Sequence, residues 1–321
     1  MDPKPSDAPP NPPEPDDPLG SLREHPMTSI FFGPHGLRVG WRLAIAVSLW
    51  VVFSNVISFL LIWIPAVRGI LLNRTGPIVV TPALVSLDDG ISASAALLSA
   101  WVMTRIEKRS FADYGLPWRQ AFAKRFWTGS VYGFAMIGLL MGLIAALHGF
   151  SVTGADLHGM AAIRYALFYF AGFFVVAMFE EFSFRGYLQS TLQLATGFWP
   201  AAVILAVIFG AIHIHNPGEN WHGVVMAGCF GLLAAFTLRR TGSIWFAIGL
   251  HTFWDWGETY FYAVRDSGVP AAGHLLQSDF HGPVWLTGGT VGPEGSAIVF
   301  GVLLIAAVGV HFLVPARKHS A

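Results

Sequence analysis

The sequence predicts an all-α membrane protein, with about eight transmembrane helices bundled around a buried polar site. Three observations carry this expectation. Charged residues make up 12% of the chain against 54% hydrophobic, where a soluble domain carries about 25% charged residues. Apolar runs that approach or exceed the roughly 20 residues needed to cross a bilayer core recur along the chain. One of those runs, almost wholly apolar from Tyr165 onward, nevertheless holds Glu180, Glu181 and Arg185. A charge in hydrocarbon costs at least about 2.5 kcal/mol, so such charges have partners and a task. The lipid bilayer is therefore the first partner the sequence implies.

Residues 1–34 hold ten of the twenty prolines together with Asp2, Asp7, Asp16 and Asp17, and they contain no long apolar run. That composition reads as a disordered, Pro-rich cytoplasmic tail. The tail lacks the basic region, apolar stretch and small-residue cleavage site of a secretory signal, so the first span is expected to double as the insertion signal. Residues 35–315 read as a multi-pass membrane domain and residues 316–321 as a short cytoplasmic tail. Spans are expected at about 41–65, 83–104, 126–147, 164–184 and beyond, 200–216, 223–238, 244–263 and 296–314.

Lys and Arg accumulate on the cytoplasmic side of short loops. With both termini inside, fourteen of the nineteen fall on the inner side. Arg68, Arg74, Arg164 and Arg265 fall on the outer side, and Arg185 lies within a helix. The chain thus reads as a cell-membrane protein, of the bacterial plasma membrane, with both termini cytoplasmic. Net charge is zero and no dense basic face is present, which argues against nucleic-acid binding.

Within the spans, Gly129, Gly133, Gly138 and Gly142 form two small-xxx-small pairs suited to close helix contact. The single cysteine, Cys229, lies among Gly223, Ala227, Gly228 and Gly231 and reads as a helix-packing residue rather than a thiol site. Residues 264–295 are long for a helix connection and read as an ordinary extracytoplasmic loop rather than a lid. No internal repeat relates one half of the chain to the other, which weakens a reading as an ion-coupled transporter.

Chemistry concentrates on three spans. Glu181 and Arg185 are four residues apart and share a helix face, which Gln189 and Gln193 continue. Glu180 is rotated by about 100° from Glu181, so Glu181 is expected to partner Arg185 and leave Glu180 free. If the next helix folds back at Gly197, Glu180 and His213 are each roughly 25 Å from the turn and meet at one depth. His251 and Asp255, again four apart, lie on the seventh span.

A carboxylate with two imidazoles serves peptide hydrolysis in two ways. The carboxylate acts as a general base on water while a histidine positions it and other groups stabilise the oxyanion. Alternatively, Glu180, His213 and His251 form a set that holds Zn²⁺ and keeps a position for water. No H-E-x-x-H motif selects the second. There is also no G-x-S-x-G elbow, so Ser183 reads as a packing residue, and His215, His222 and Glu258 read as polar residues at helix ends.

The run from Glu180 to Gln189 resembles the E-E-x-x-x-R motif of the CPBP intramembrane proteases, the type II CAAX prenyl endopeptidases and bacteriocin-processing or immunity (Abi) proteins. Phe209 to His213 is similar to their F-x-x-x-H motif, and Thr241 to Trp245 leading to His251 and Asp255 is similar to their H-x-x-x-N/D motif. Asp113-Tyr114-Gly115-Leu116 is a weaker echo upstream, and the resemblance covers residues 165–262.

It implies an intramembrane endopeptidase acting on a peptide or protein substrate at the membrane, as a glutamate protease or a zinc metalloprotease. Glu180 and His213 would activate water, and His251 with residue 255 would stabilise the oxyanion. Asp255 stands where the prenyl endopeptidases have Asn. An ionised Asp cannot donate a hydrogen bond to an oxyanion, so it would be protonated, orient His251 or help bind a metal. The alternative on the same fold is a non-proteolytic scaffold or immunity protein.

Overall fold

The computed structural model describes residues 28–34, 36–72, 81–216 and 218–317. Most of the expected Pro-rich tail lies outside these residues, as do Arg74, Pro217 and Lys318. The chain is an all-α membrane protein. Its principal helices are α1 (Val39–Leu61), α2 (Pro82–Glu107), α3 (Lys124–Ala146), α4 (Gly159–Thr196), α5 (Phe198–His213), α6 (Trp221–Thr241), α7 (Trp245–Trp256) and α8 (Ile298–Leu313). Among the described residues, α1, α2, α3, α4 and α6 are long and apolar enough to cross a membrane, and α5 and α8 are shorter apolar helices.

Local chemistry sets several of the helix ends. Thr81 caps α2, its hydroxyl accepting from Leu84 N at 3.3 Å, and Pro82 occupies the first turn, where its missing N–H costs nothing. The Asn220 side chain accepts from His222 N at 2.9 Å to start α6, and left-handed Gly242 ends it after Arg239 and Arg240. Two helices change pitch without ending. In α4 the residues Phe182–Leu188 form a π-helical turn, and α7 runs on into another at Gly257–Phe261. Such turns insert a residue into the α repeat and re-aim the side chains that follow.

The most extensive contact joins α3 to α7. A Cβ on Gly129 would overlap the Phe246 carbonyl, one on Gly133 the Leu250 carbonyl, and one on Gly249 the Phe126 carbonyl. Lipid gives helices no hydrophobic reason to associate with one another, so dispersion across such backbone contacts holds them together. Gly138 and Gly142 do not extend this face: a Cβ on Gly138 would meet only the Tyr262 hydroxyl at 3.4 Å, and one on Gly142 nothing within 4 Å. Helix α5 packs on α6, α4 on α2 and α7, and α8 on α6 and α3. Of α1, only Ala46 is buried, leaving most of that helix as an apolar outer surface.

Residues 264–295 are more than the expected plain loop. Strand β1 (Phe150–Ala155) pairs antiparallel with β2 (Leu276–Phe280), in the register Phe150↔Phe280 to Ala155↔Leu276 with a bulge between Val152 and Gly154. A second, two-residue ladder joins Phe32–Gly33 to Gly36–Leu37. The Asp113–Leu116 echo is a buttress. Asp113 and Ser110 form a capping box, Gly115 O accepts from Ile244 N at 2.8 Å, and Tyr114 packs edge-on against Tyr187 at 5.0 Å. Through Tyr114 this segment packs against the π turn of α4.

Gly249→Val is expected to destabilise the protein by about 3 kcal/mol by forcing α7 off α3. Gly142→Val, facing open space, should stay within about 0.5 kcal/mol of wild type. Thermal unfolding of the two purified variants in detergent measures the contrast.

Candidate active site

The site is built where α4, α5, α6 and α7 converge. Glu181 and Arg185 are 0% and 2% exposed, with Arg185 Nη1 3.3 Å from Glu181 Oε1. The guanidinium lies 4.2 Å from the Phe209 ring centroid, and its Nε donates to Gly231 O at 3.4 Å. A Cβ on Gly231 would overlap Arg185 Nη2, so this glycine gives α6 the hollow that the guanidinium fills. The small residues of α6 that surround Cys229 thus serve packing, and Cys229 itself packs against the core.

The same Glu181 oxygen lies 3.0 Å from His251 Nδ1. An ionised carboxylate only accepts hydrogen bonds, so the proton of this contact sits on Nδ1 and the free nitrogen of the ring is Nε2. Nε2 lies 3.8 Å from Glu180 Oε2 and 3.6 Å from Asp255 Oδ2. His251 is therefore at the depth of the α4 glutamates, and Phe230 packs edge-on against its ring at 5.1 Å. Glu180 does not share the burial of its neighbour: its side chain keeps 19% exposure and lines a cavity of about 250 Å³ together with His213, His251 and Asp255.

His213 is the last residue of α5. Its Nδ1 donates to Phe209 O at 2.7 Å, which leaves Nε2 as the lone-pair nitrogen of a ring that lines the cavity. Glu219, in the turn after α5, accepts from Asn220 N at 2.9 Å, and burial pushes its carboxyl above the ordinary range. The structure thus brings Glu180, His213, His251 and Asp255 around one cavity and sets Glu181 and Arg185 behind it. Gln189 continues this buried face at 1% exposure. Ser183 faces a separate apolar cavity, and His222 stacks on Trp221 at 3.7 Å.

Four carboxylates near the site carry weight that the sequence reading did not give them. Asp89 of α2 lines the cavity beside Glu180. Asp88 and Asp89 interrupt an apolar span, so the cost of charge in hydrocarbon, applied there as to α4, is a signal that finds them. Asp266 and Glu294 line the cavity from the two ends of the 264–295 loop, and no periodicity marks them. Glu258 is not a polar residue at an exposed helix end; it is fully buried in the π turn after α7.

Glu180 Oε2 and His251 Nε2 lie 3.8 Å apart, but with His213 they do not make a trio whose ligand atoms all fall within 4.8 Å of one another. Among the described residues, the one trio of His, Cys, Asp or Glu with ligand atoms all within 4.8 Å of one another is Glu258, Asp266 and Glu294.

Residues 162–257 match the family model described as type II CAAX prenyl endopeptidase Rce1-like. The match runs from early α4 to the end of α7 and takes in Glu180, Glu181, Arg185, His213, His251 and Asp255, in line with the CPBP resemblance of their motifs. No curated protein matches the chain.

Breaking a buried ion pair strands the remaining charge, at a cost of about 3–5 kcal/mol. Glu181→Ala is expected to lower stability by that amount, whereas Glu180→Ala should stay within about 1 kcal/mol of wild type. Unfolding monitored by tryptophan fluorescence reads both.

Proposed function

We propose that the chain is a membrane-embedded endopeptidase in which Glu180 activates water to hydrolyse a peptide bond of a membrane-borne substrate. The observation that carries this reading is the division between adjacent glutamates. Glu181 is engaged by Arg185 and His251, while Glu180 faces the cavity with two imidazoles.

In the proposed reaction His213 Nε2 accepts a hydrogen bond from water and orients it. Glu180 takes the water proton as hydroxide oxygen attacks the scissile carbonyl. His251, with Nδ1–H directed at Glu181, donates to the oxyanion from Nε2 as the imidazolium, its charge balanced by Glu180, Glu181 and Asp255. Collapse of the tetrahedral species breaks the C–N bond, and Glu180 returns its proton to the leaving amine. Asp255, 3.6 Å from His251 Nε2, orients the ring in this scheme, a role that an aspartate fills without donating a hydrogen bond.

That Glu180, His213 and His251 do not all place a ligand atom within 4.8 Å of one another supports this route over a zinc-bound one. Glu180 also borders a second, largely apolar cavity of about 340 Å³, lined by Ala46 and Trp50 of α1, Phe179 and Phe184 of α4 and Ile212 of α5. That cavity suits the apolar part of a substrate arriving through lipid. The distribution of Lys and Arg supports a plasma-membrane orientation with both termini cytoplasmic.

Cleavage of a panel of membrane-anchored peptides, with and without a prenylated cysteine, by protein reconstituted in liposomes tests the reading. Glu180→Gln is expected to reduce kcat by about 10²–10⁴-fold, with His213→Ala and His251→Ala similarly impaired. A zinc-selective chelator in calcium-containing buffer should leave wild-type cleavage intact. Undiminished cleavage by Glu180→Gln, or chelator inhibition reversed by zinc, would contradict the mechanism.

A further inference from the structure

At the wall of the cavity that Glu180 lines, three carboxylates meet. One oxygen each of Glu258, Asp266 and Glu294 lies within 4.8 Å of the others. They come from three segments: the π turn after α7 and the two ends of the 264–295 loop. Two of the three have fixed settings. Glu294 Oε1 accepts from Trp254 Nε1 at 2.9 Å, and its Oε2 accepts from Ser267 N at 2.9 Å and Ser267 Oγ at 2.7 Å. Asp266 Oδ2 accepts from Thr259 Oγ1 at 3.4 Å.

Glu258 is different. It is 0% exposed, and neither of its carboxylate oxygens has a well-formed hydrogen bond, the Trp254 indole that serves Glu294 being a nearby donor. A buried polar side chain without a partner costs about 1–3 kcal/mol, and more when charged. Among the described residues, no Lys or Arg forms an ion pair with any of the three. Two like charges about 4 Å apart repel by roughly 4 kcal/mol in a protein environment, so the cluster is neutralised either by protons or by a bound cation.

We propose that Glu258, Asp266 and Glu294 bind a hard divalent cation of the calcium type, which pins both ends of the 264–295 loop to the end of α7. The donor chemistry selects the ion. All the donors are oxygens, with the Thr259 and Ser267 hydroxyls at hand, and that set suits Ca²⁺, Mg²⁺ or Mn²⁺ rather than zinc, which favours nitrogen and sulfur. Ca²⁺ accepts an irregular cage of about six to eight oxygens at about 2.3–2.6 Å, whereas Mg²⁺ demands a near-ideal octahedron at about 2.0–2.1 Å, and three carboxylates from three segments suit the more adaptable ion.

The backbone is already arranged to receive such a clamp. The loop ends cross where Gly268 N donates to Val291 O at 2.7 Å, and a Cβ on Gly292 would overlap the Arg265 carbonyl. Glu258, Asp266 and Glu294 all lie outside residues 162–257, so the proposed clamp belongs to this chain's loop rather than to the matched segment. Its test reads binding and melting, and stands whether or not the chain cleaves peptides.

The full chain in nanodiscs of zwitterionic lipid, after treatment with chelator, is titrated with Ca²⁺ by calorimetry and thermal unfolding. Empty nanodiscs serve as the control. One Ca²⁺ per chain with a saturable rise in Tm is expected, together with Tb³⁺ luminescence excited through Trp254 and displaced by Ca²⁺. Glu258→Gln, nearly isosteric, should weaken Ca²⁺ binding by about tenfold or more while retaining wild-type helicity. Absence of binding heat, of Tm shift and of sensitised Tb³⁺ emission in the wild-type protein at pH 8 would mean that protons neutralise the trio, and would overturn the proposal. Equal Ca²⁺ affinity in wild type, Glu258→Gln and Glu294→Gln would place the ion elsewhere and overturn it as well.

Discussion

The buried chain Arg185–Glu181–His251 is the interaction on which the rest of the site depends. Two charges in a low-dielectric interior persist only when each has partners, because desolvating them costs several kcal/mol per ion. Here one Glu181 oxygen serves a guanidinium on its own helix at 3.3 Å and an imidazole on another at 3.0 Å. The first contact neutralises the carboxylate. The second ties α7 to α4, sets the proton on His251 Nδ1 and directs Nε2 toward Glu180 and Asp255. Because Glu180 precedes Glu181 by one residue, the same anchoring turns its carboxylate into the cavity.

Such an anchor needs a backbone frame that does not drift, and glycine supplies it. Gly129 and Gly133 of α3 and Gly249 of α7 bring the two helices into backbone contact around Phe126, Phe246 and Leu250. Gly249 lies two residues before His251. A helix held that closely cannot rotate without backbone overlap, so the direction of His251 is set by α3 behind it as well as by Glu181 in front. Gly231 performs a related service in α6 by leaving room for the Arg185 guanidinium. Small residues thus fix charged ones, where larger residues would hold the helices too far apart for a 3 Å contact.

Much of this arrangement was legible in the sequence, and the remainder was hidden for identifiable reasons. Apolar runs located the helices to within a few residues, and the four-residue spacings of Glu181 with Arg185 and of His251 with Asp255 showed which side chains share a face. Two π turns escaped notice because an inserted residue leaves no mark on composition or periodicity. Pairing of β1 with β2 joins segments more than a hundred residues apart, which local pattern does not encode, although Phe150-Ser151-Val152-Thr153 alternates apolar and polar residues. Asp89 interrupts an apolar span as Glu180 does, so the sequence marks it on the same grounds. Asp266 and Glu294 reach the cavity only through the path of a long loop, which local pattern does not encode. The second glycine pair, Gly138 and Gly142, shows the opposite error: a packing motif without a close neighbour at one of its two positions.

Hydrolysis within a membrane sets two requirements that conflict, since water must reach the carboxylate while an apolar substrate approaches through lipid. In this chain a polar and an apolar cavity meet at one residue. Glu180 lines the cavity that contains Asp89, His213, Asp255, Asp266 and Glu294, and it also borders the apolar cavity between α1, α2, α4 and α5. Polar walls on one side keep water stable at depth, because each carboxylate and imidazole replaces hydrogen bonds that the bilayer withholds. On the other side the wall is Ala46, Trp50, Phe179 and Ile212, which favours hydrocarbon over water. In the proposed reaction, a general base at this partition would receive the scissile bond from the apolar side and the attacking oxygen from the polar side. The loop of residues 264–295 supplies Asp266, Ser267 and Glu294 to the polar side, so part of that wall comes from outside the helix bundle.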